Sequence, residues 1–263
     1  MFGKGKGVFL PMDHPVYFGP MPGIEDPVAL VKDVASTPAD GVLLTLATLN
    51  KVVDVIGNLA AIARIDGTHT KLGSNLVKIH QVHSVEMAVA QGADACILNI
   101  YVGAENEHDL LQKLGNVAED CERWGMPLIG EMIPMAALAG HYGPTDKTLS
   151  EDEMADQVAL AARVGAELGA DVIKCNYTGS PESFRRVIQG ATAPVIVAGG
   201  PGGDSVPGLL KIVEDCITAG AAGIIFGRNV WKRPNRVDVL NAICAIVHEG
   251  KSATEAIRCV GEA

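Results

Sequence analysis

The sequence predicts an α/β protein, a single (β/α)8 barrel of the TIM type spanning residues 1–263. Three observations carry that expectation. Short apolar runs recur eight times, and each is followed by a polar loop and a segment with helical periodicity. The runs are almost continuously apolar, as strands of a parallel sheet covered on both faces must be. The helical segments close on glycine, at Gly92, Gly125, Gly169, Gly220 and Gly250, where a left-handed cap is needed. The chain length also matches such a barrel, which typically takes about 250 residues. The alternative is an open doubly wound sheet, because periodicity alone does not close a barrel.

The units run in order along the chain. "GVFLPMD" (7–13) precedes a helix over 25–36, "GVLLTL" (41–46) one over 50–60, and "AIARID" (61–66), after a longer loop, one over 84–92. "ACILNIYVG" (95–103) leads to a helix over 106–125, and "PLIGEMI" (127–133) to one over 150–169. "DVIKCNY" (171–177) leads to 180–191, "PVIVAGG" (194–200) to 205–220, and "AGIIFG" (222–227) to 236–250. Ser150 with Glu153 reads as a capping box, and Ser180 with Ser183 as a weaker one. No linker or low-complexity segment interrupts the pattern, and the residues after 250 read as a short terminal helix.

Composition narrows the function classes. The chain is 48% hydrophobic and 20% charged, enough apolar surface for a full core and too little charge for disorder. A formal net charge of −10 argues against nucleic acid, which needs a basic face, but leaves room for a locally positive phosphate site. The six cysteines are scattered without a C-x-x-C pair, which reads as reduced thiols in a cytoplasmic protein. No run reaches signal-peptide or membrane-span length, so no membrane partner is expected.

A barrel of this kind works at the C-terminal ends of its strands. The polar residues there are Asp13 and His14, Thr45, Arg64 and Asp66, Asn99 and Tyr101, Glu131, Lys174, Asn176 and Tyr177. "AGGPGG" (198–203) ends strand seven and "GRN" (227–229) ends strand eight. Glycine there lets backbone N–H groups approach an anion, and Arg228 can add a bidentate contact, so the two glycine segments with Arg228 are the candidate phosphate site. The bland alternative is that these glycines only turn strand into helix. Lys174 interrupts an apolar run, where an ammonium costs several kcal/mol unless it is paired or neutralised. It is either a snorkelling or ion-paired structural lysine, or an amine that attacks a carbonyl to form a Schiff base. Asp13 either holds a loop or acts at the same rim. "HQVH" (80–83) spaces two histidines as a helix face could hold them, but no third ligand is evident, so no metal is expected.

"MDHPVYFGP", "DVIKCNYTGSPESF", "PVIVAGGP" and "AGAAGIIFGRNVW" together resemble the archaeal-type class I fructose-bisphosphate aldolase family. That family sits among the DeoC- and LacD-like aldolases, with the aminodideoxyheptulosonate synthases and the autoinducer-2 phosphate thiolases. The resemblance implies a barrel without cofactor, with Lys174 as the Schiff-base lysine and phosphate held around Gly199, Gly200, Gly227 and Arg228. It implies that Asp13 works near the reacting carbonyl, next to His14, and that the substrates are a phosphorylated ketose or ketone and an aldehyde. It also implies a homo-oligomer, often a decamer. The sequence departs from the family where many members carry a Y-P-R-G segment after strand five: here Ile133 takes the tyrosine position and Met135 the arginine position. Proton transfer must then fall to another group, and Glu131, His141, Tyr142, His14 and Tyr17 are the candidates. The alternatives to a fructose-bisphosphate-like aldolase are a heptulosonate-type transaldolase, a retro-Claisen thiolase, an isomerase or epimerase in which Lys174 only neutralises an enediolate, and a non-catalytic sugar-phosphate binder.

Overall fold

The computed structural model describes residues 5–142, 149–199 and 205–261, with backbone alone over 139–142. Eight parallel strands close into a barrel in sequence order: β1 (Gly7–Pro11), β2 (Gly41–Thr45), β3 (Ala60–Arg64), β4 (Ala95–Val102), β5 (Leu128–Pro134), β6 (Val172–Asn176), β7 (Val195–Ala198) and β8 (Gly223–Ile225). Closure between β8 and β1 pairs Gly7 with Gly223. Gly223 holds φ at +152°, and a Cβ there would run into the Gly7 carbonyl, so glycine is required for that seam.

The helices are α1 (Pro15–Phe18), α2 (Pro27–Ala35), α3 (Leu46–Val52), α4 (Val85–Ala90), α5 (Glu107–Trp124), α6 (Met135–Tyr142), α7 (Glu151–Glu167), α8 (Pro181–Gly190), α9 (Val206–Ala219), α10 (Arg228–Trp231), α11 (Arg236–Glu249) and α12 (Ala253–Ala256). Both expected capping boxes form, at Ser150 with Glu153 and at Ser180 with Ser183. All five helix-ending glycines adopt positive φ.

Two local expectations change. The second helix does not run over 50–60. Thr45 accepts a hydrogen bond from the Thr48 amide and starts α3 directly at the end of β2, while Gly57, at positive φ, sits in the turns that follow. "HQVH" is not helical either. The His80 amide donates to Thr68 Oγ1, and those of Val82 and His83 donate to the Ile65 carbonyl, which draws the segment out along the end of β3. No helix face therefore joins His80 to His83.

The core has two parts, as a packed barrel requires. Phe9, Leu43, Ile62, Ile97, Ile129, Val172, Ile196 and Ile225 fill the barrel interior. A larger cluster, including Leu30, Leu114, Val158, Phe184, Leu209 and Ile243, fills the layer between strands and helices. Among the described residues, no helix is long and apolar enough to cross a membrane.

Candidate active site

Side chains alternate between the two faces of a strand, so the residues two positions beyond each interior apolar residue point into the barrel mouth. Stepping on from Phe9, Ile62, Ile97, Ile129, Val172 and Ile196 reaches Pro11, Arg64, Asn99, Glu131, Lys174 and Ala198, and all six line one cavity of about 180 Å³. A further step reaches Asp13, Tyr101, Ile133 and Asn176, which also line it. Strand pairing sets Asn99 beside Glu131 and Glu131 beside Lys174, in one row across β4, β5 and β6.

Charges fill this row. Lys174 is 5% exposed, and its Nζ lies 2.7 Å from Glu131 Oε1. Arg64, 2% exposed, donates from Nε to Asp13 Oδ2 at 2.8 Å and from its terminal nitrogens to Glu131 and, at 3.4 Å, to Asp66. With the Asn99 amide oriented to satisfy its neighbours, its nitrogen donates to Glu131 Oε2 at 3.0 Å. Its oxygen accepts from Arg64 at 3.2 Å and from the Tyr17 hydroxyl at 3.0 Å. Lys113, from α5, donates to Asp66 at 2.9 Å and to the Asn99 carbonyl at 3.0 Å. Two carboxylates, Asp13 and Glu131, therefore pair with two of the cavity's cations, Arg64 and Lys174, and the Asp66–Lys113 pair holds Arg64 and Asn99 from behind.

Burial opposes charge on Glu131, but Lys174 and Arg64 outweigh it and hold its carboxyl below the ordinary value. Burial likewise opposes charge on Asp13, and Arg64, with smaller help from His14 and Lys174, holds it well below the carboxylate range. Burial pushes the Tyr17 phenol well up, so it stays a neutral hydrogen-bond donor. His69 stacks on Tyr17 with ring centroids 4.7 Å apart and an interplanar angle of 18°, fixing the ring's position.

The cavity's other side is built from β7 and β8. Gly199, Gly227, Arg228 and Asn229 line it, and Asn229 Nδ2 donates to the Gly199 carbonyl at 2.7 Å, tying the two strand ends together. Gly227 is tightly enclosed: a Cβ there would lie 2.8 Å from Pro11 Cγ and 3.0 Å from Trp231 Nε1, whose indole donates to the Pro11 carbonyl at 3.2 Å. His14 lies at the rim with Nδ1 3.5 Å from Asp13 Oδ1, its ring stacked with Phe18 and edge-on to Trp231.

The sequence-predicted residues Lys174, Asp13, His14, Gly199, Gly227 and Arg228 thus meet around one cavity. Gly200 lies outside the described residues, as do the side chains of His141 and Tyr142. Tyr17 and Glu131 also reach the cavity. The residue whose importance sequence reasoning missed is Arg64. It stood among the strand-end polar residues without a role, although it interrupts an apolar run just as Lys174 does. Among the described residues, no three metal-capable side chains come together.

Residues 7–233 match the description of the DeoC/LacD family aldolases. The chain is 34% identical to a 2-amino-3,7-dideoxy-D-threo-hept-6-ulosonate synthase of Halobacterium salinarum, covering 96% of this chain and 90% of that one. It is 31% identical to a class 1 fructose-bisphosphate aldolase of Thermoproteus tenax, over 96% of this chain and 93% of that one. Among solved structures it resembles an archaeal fructose-1,6-bisphosphate aldolase with its catalytic lysine covalently bound to the carbinolamine intermediate. That likeness has a TM-score of 0.83 at 31% identity, covering 93% of this chain and 95% of that one. A closed eight-stranded barrel, a buried lysine at its mouth and a family match over most of the chain converge on one conclusion: the chain belongs to the DeoC/LacD family and is an aldolase.

Proposed function

We propose that this enzyme makes or cleaves a carbon–carbon bond in a phosphorylated ketose through a Schiff base on Lys174. The observation that carries the reading is the buried Lys174–Glu131 pair, 2.7 Å apart and facing a cavity whose far side is made of Gly199, Gly227 and Arg228. Glu131 touches the reacting nitrogen directly, so it is the proton carrier in this scheme. It takes a proton from the Lys174 ammonium, and the free amine adds to the substrate carbonyl to give a carbinolamine. Glu131 returns the proton to the carbinolamine hydroxyl, which leaves as water and creates the iminium. The iminium draws in the electron pair of the neighbouring C–C bond while Glu131, a carboxylate again, takes the proton of the β-hydroxyl, so that an aldehyde departs and an enamine remains. Protonation of the enamine and hydrolysis release the phosphorylated ketone and restore Lys174.

Asp13, held ionised by Arg64, places a negative charge beside the cationic iminium, and His14, beside Asp13 at the rim, relays protons between the cavity and solvent. Arg64 bridges Asp13 and Glu131, fixing both carboxylates before substrate arrives. Gly199 and Gly227 hold the phosphoryl group with Arg228, and binding energy from that remote group orients the reacting carbon. The named relatives act on fructose bisphosphate or make a heptulosonate, both products of C–C bond chemistry. We further take residues 1–263 as one domain, the assembly as a homo-oligomer, and the cytoplasm as the place of action, the last supported by six free cysteines.

Borohydride treatment in the presence of a phosphorylated ketone tests the proposal. Reduction traps a covalent adduct, which peptide mass spectrometry locates on Lys174. Absence of that adduct at saturating ligand refutes the Schiff-base reading, and persistence of activity in Lys174→Arg would point instead to the isomerase scheme.

A further inference from the structure

The wall behind the row of Asn99, Glu131 and Lys174 is not closed by backbone alone. β3 pairs with β4 as far as Arg64 and Ile97, and the Ile65 amide donates to the Ile97 carbonyl at 3.2 Å. One step further, a parallel ladder would give the Asn99 amide the Ile65 carbonyl, and the Asn99 carbonyl the Gly67 amide. Both partners are engaged elsewhere. The Ile65 carbonyl accepts from the amides of Val82 and His83, and the Gly67 amide donates to the His80 carbonyl. Left unpaired, the buried peptide groups of Asn99 would be costly. Side chains meet them instead: the amide donates to Asp66 Oδ2 at 2.7 Å, and the carbonyl accepts from Lys113 Nζ at 3.0 Å.

Lys113 reaches this gap from α5, outside the barrel wall. Its three N–H groups have three acceptors: Asp66 Oδ2 at 2.9 Å, the Asn99 carbonyl, and the Ile79 carbonyl at 3.4 Å. The Asp66 side chain is fully buried and that of Lys113 only 10% exposed, so water screens their charges little. Asp66 also faces Arg64, whose Nη1 lies 3.4 Å from its Oδ1, while the same guanidinium holds Asp13 and Glu131 at shorter contacts. Without a cation of its own, Asp66 would compete for Arg64 and stand as a buried negative charge behind Glu131.

We infer that Lys113 is a positioning residue for the aldol chemistry: by neutralising Asp66 it reserves Arg64 and Asn99 for Glu131. The inference deepens the Schiff-base reading and rests on Glu131 as its proton carrier. The charged groups facing Glu131 are Lys174 from β6, Arg64 from β3 and Asp13 beyond β1. Those facing Lys113 are Asp66 and, behind it, Arg64, with His80 and Asp109 in the groove outside. Burial pulls the Lys113 ammonium's pKa down, and Asp66 pushes it back. Removing the Lys113 charge makes the surroundings of Glu131 more negative, so Glu131 should hold a proton up to higher pH.

Cyanoborohydride trapping with dihydroxyacetone phosphate, followed as the rate of adduct formation on Lys174 against pH, tests this. In the parent enzyme the rate should fall on the acid side as Glu131 takes up a proton, and Glu131→Gln should lack that limb. Lys113→Met removes the charge and keeps the stem, and its acid limb should move up by about one pH unit. Combining Lys113→Met with Asp66→Asn removes both charges and should return the limb to the parent position. Lys113→Arg keeps the charge and should leave the limb in place. A folded Lys113→Met with an unmoved limb overturns the inference, leaving Lys113 a structural residue and the Schiff-base reading intact. If Lys113→Met does not fold, the double variant decides: a limb at the parent position supports the inference, and a displaced one overturns it. A displaced limb in Lys113→Arg overturns it as well. If the limb survives in Glu131→Gln, Glu131 is not the carrier and the inference falls with that assignment. If the parent enzyme forms no adduct, the Schiff-base reading itself fails and takes the inference with it.

Discussion

Glu131→Gln is the perturbation that separates a proton carrier from a mere counter-ion. The glutamine keeps the volume, but its single carbonyl oxygen can accept from Lys174 Nζ or from Arg64 and not from both, whereas Glu131 takes Lys174 on Oε1 at 2.7 Å and Arg64 on Oε2 at a shorter contact. It removes the negative charge and the ability to carry a proton. Two effects of different size follow. Breaking a buried ion pair costs about 3–5 kcal/mol when a charge is left alone. Here Arg64 retains Asp13 and the amide oxygen still accepts from one of the two cations, so we expect the lower end, about 3 kcal/mol, in a denaturant melt. The catalytic effect should be larger. Loss of general acid–base transfer costs about 10²–10⁴ in rate, or about 3–5 kcal/mol of barrier. The assay is the rate at which the borohydride-trappable adduct accumulates on Lys174, measured well below the melting temperature, alongside inhibition by inorganic phosphate. The expected outcome is an adduct rate lowered at least about 100-fold with phosphate inhibition changed little, because the phosphate end lies across the cavity. An adduct rate within tenfold of the parent enzyme would refute the assignment of Glu131 as carrier and leave it as a structural partner of Lys174.

Three further outcomes follow from the same geometry. Arg228→Ala should lower kcat/KM for a phosphorylated ketone about 10–100-fold and weaken inorganic phosphate inhibition in parallel, the scale of one charge-assisted hydrogen bond; unchanged phosphate inhibition would remove Arg228 from the anion site. Gly227→Ala puts a methyl group 2.8 Å from Pro11 Cγ and should cost about 1–3 kcal/mol in a thermal melt, as over-packing does; an unchanged melting temperature would show that the seam yields. The carboxyls of Asp13 and Glu131 are both lowered in the folded state, so the stability they contribute is present above their ordinary values, near about 4, and is lost as pH falls through the folded ones. Melts from pH 7 to pH 3 should show that loss, and Glu131→Gln should flatten it; an equal acid slope in parent and variant would contradict the shift.

The barrel was legible because its strands are buried on both faces and its helices end on glycine, so neither signal depends on distant residues. What failed locally failed for identifiable reasons. Thr45 starts α3 from inside what reads as strand, since a hydroxyl cap outweighs the apolar run around it. "HQVH" has helical spacing, yet its amides find acceptors on Thr68 and Ile65 and never need a helix. Lys174 was legible as an anomaly, a charge in an apolar run. Its partner was not, because choosing among Glu131, His141, Tyr142, His14 and Tyr17 needs the register of β5 against β6, which no local pattern encodes.

That register also bears on the missing family tyrosine. Ile133 and Glu131 share the inward face of β5, one pleat apart, with Glu131 the deeper. A proton carrier at Ile133 would work from the mouth, whereas one at Glu131 sits against the amine itself. A deep carboxylate needs a deep cation to keep it ionised, and Arg64 supplies that charge while also holding Asp13. The arginine in β3, the glutamate in β5 and the isoleucine above it thus form one coherent arrangement.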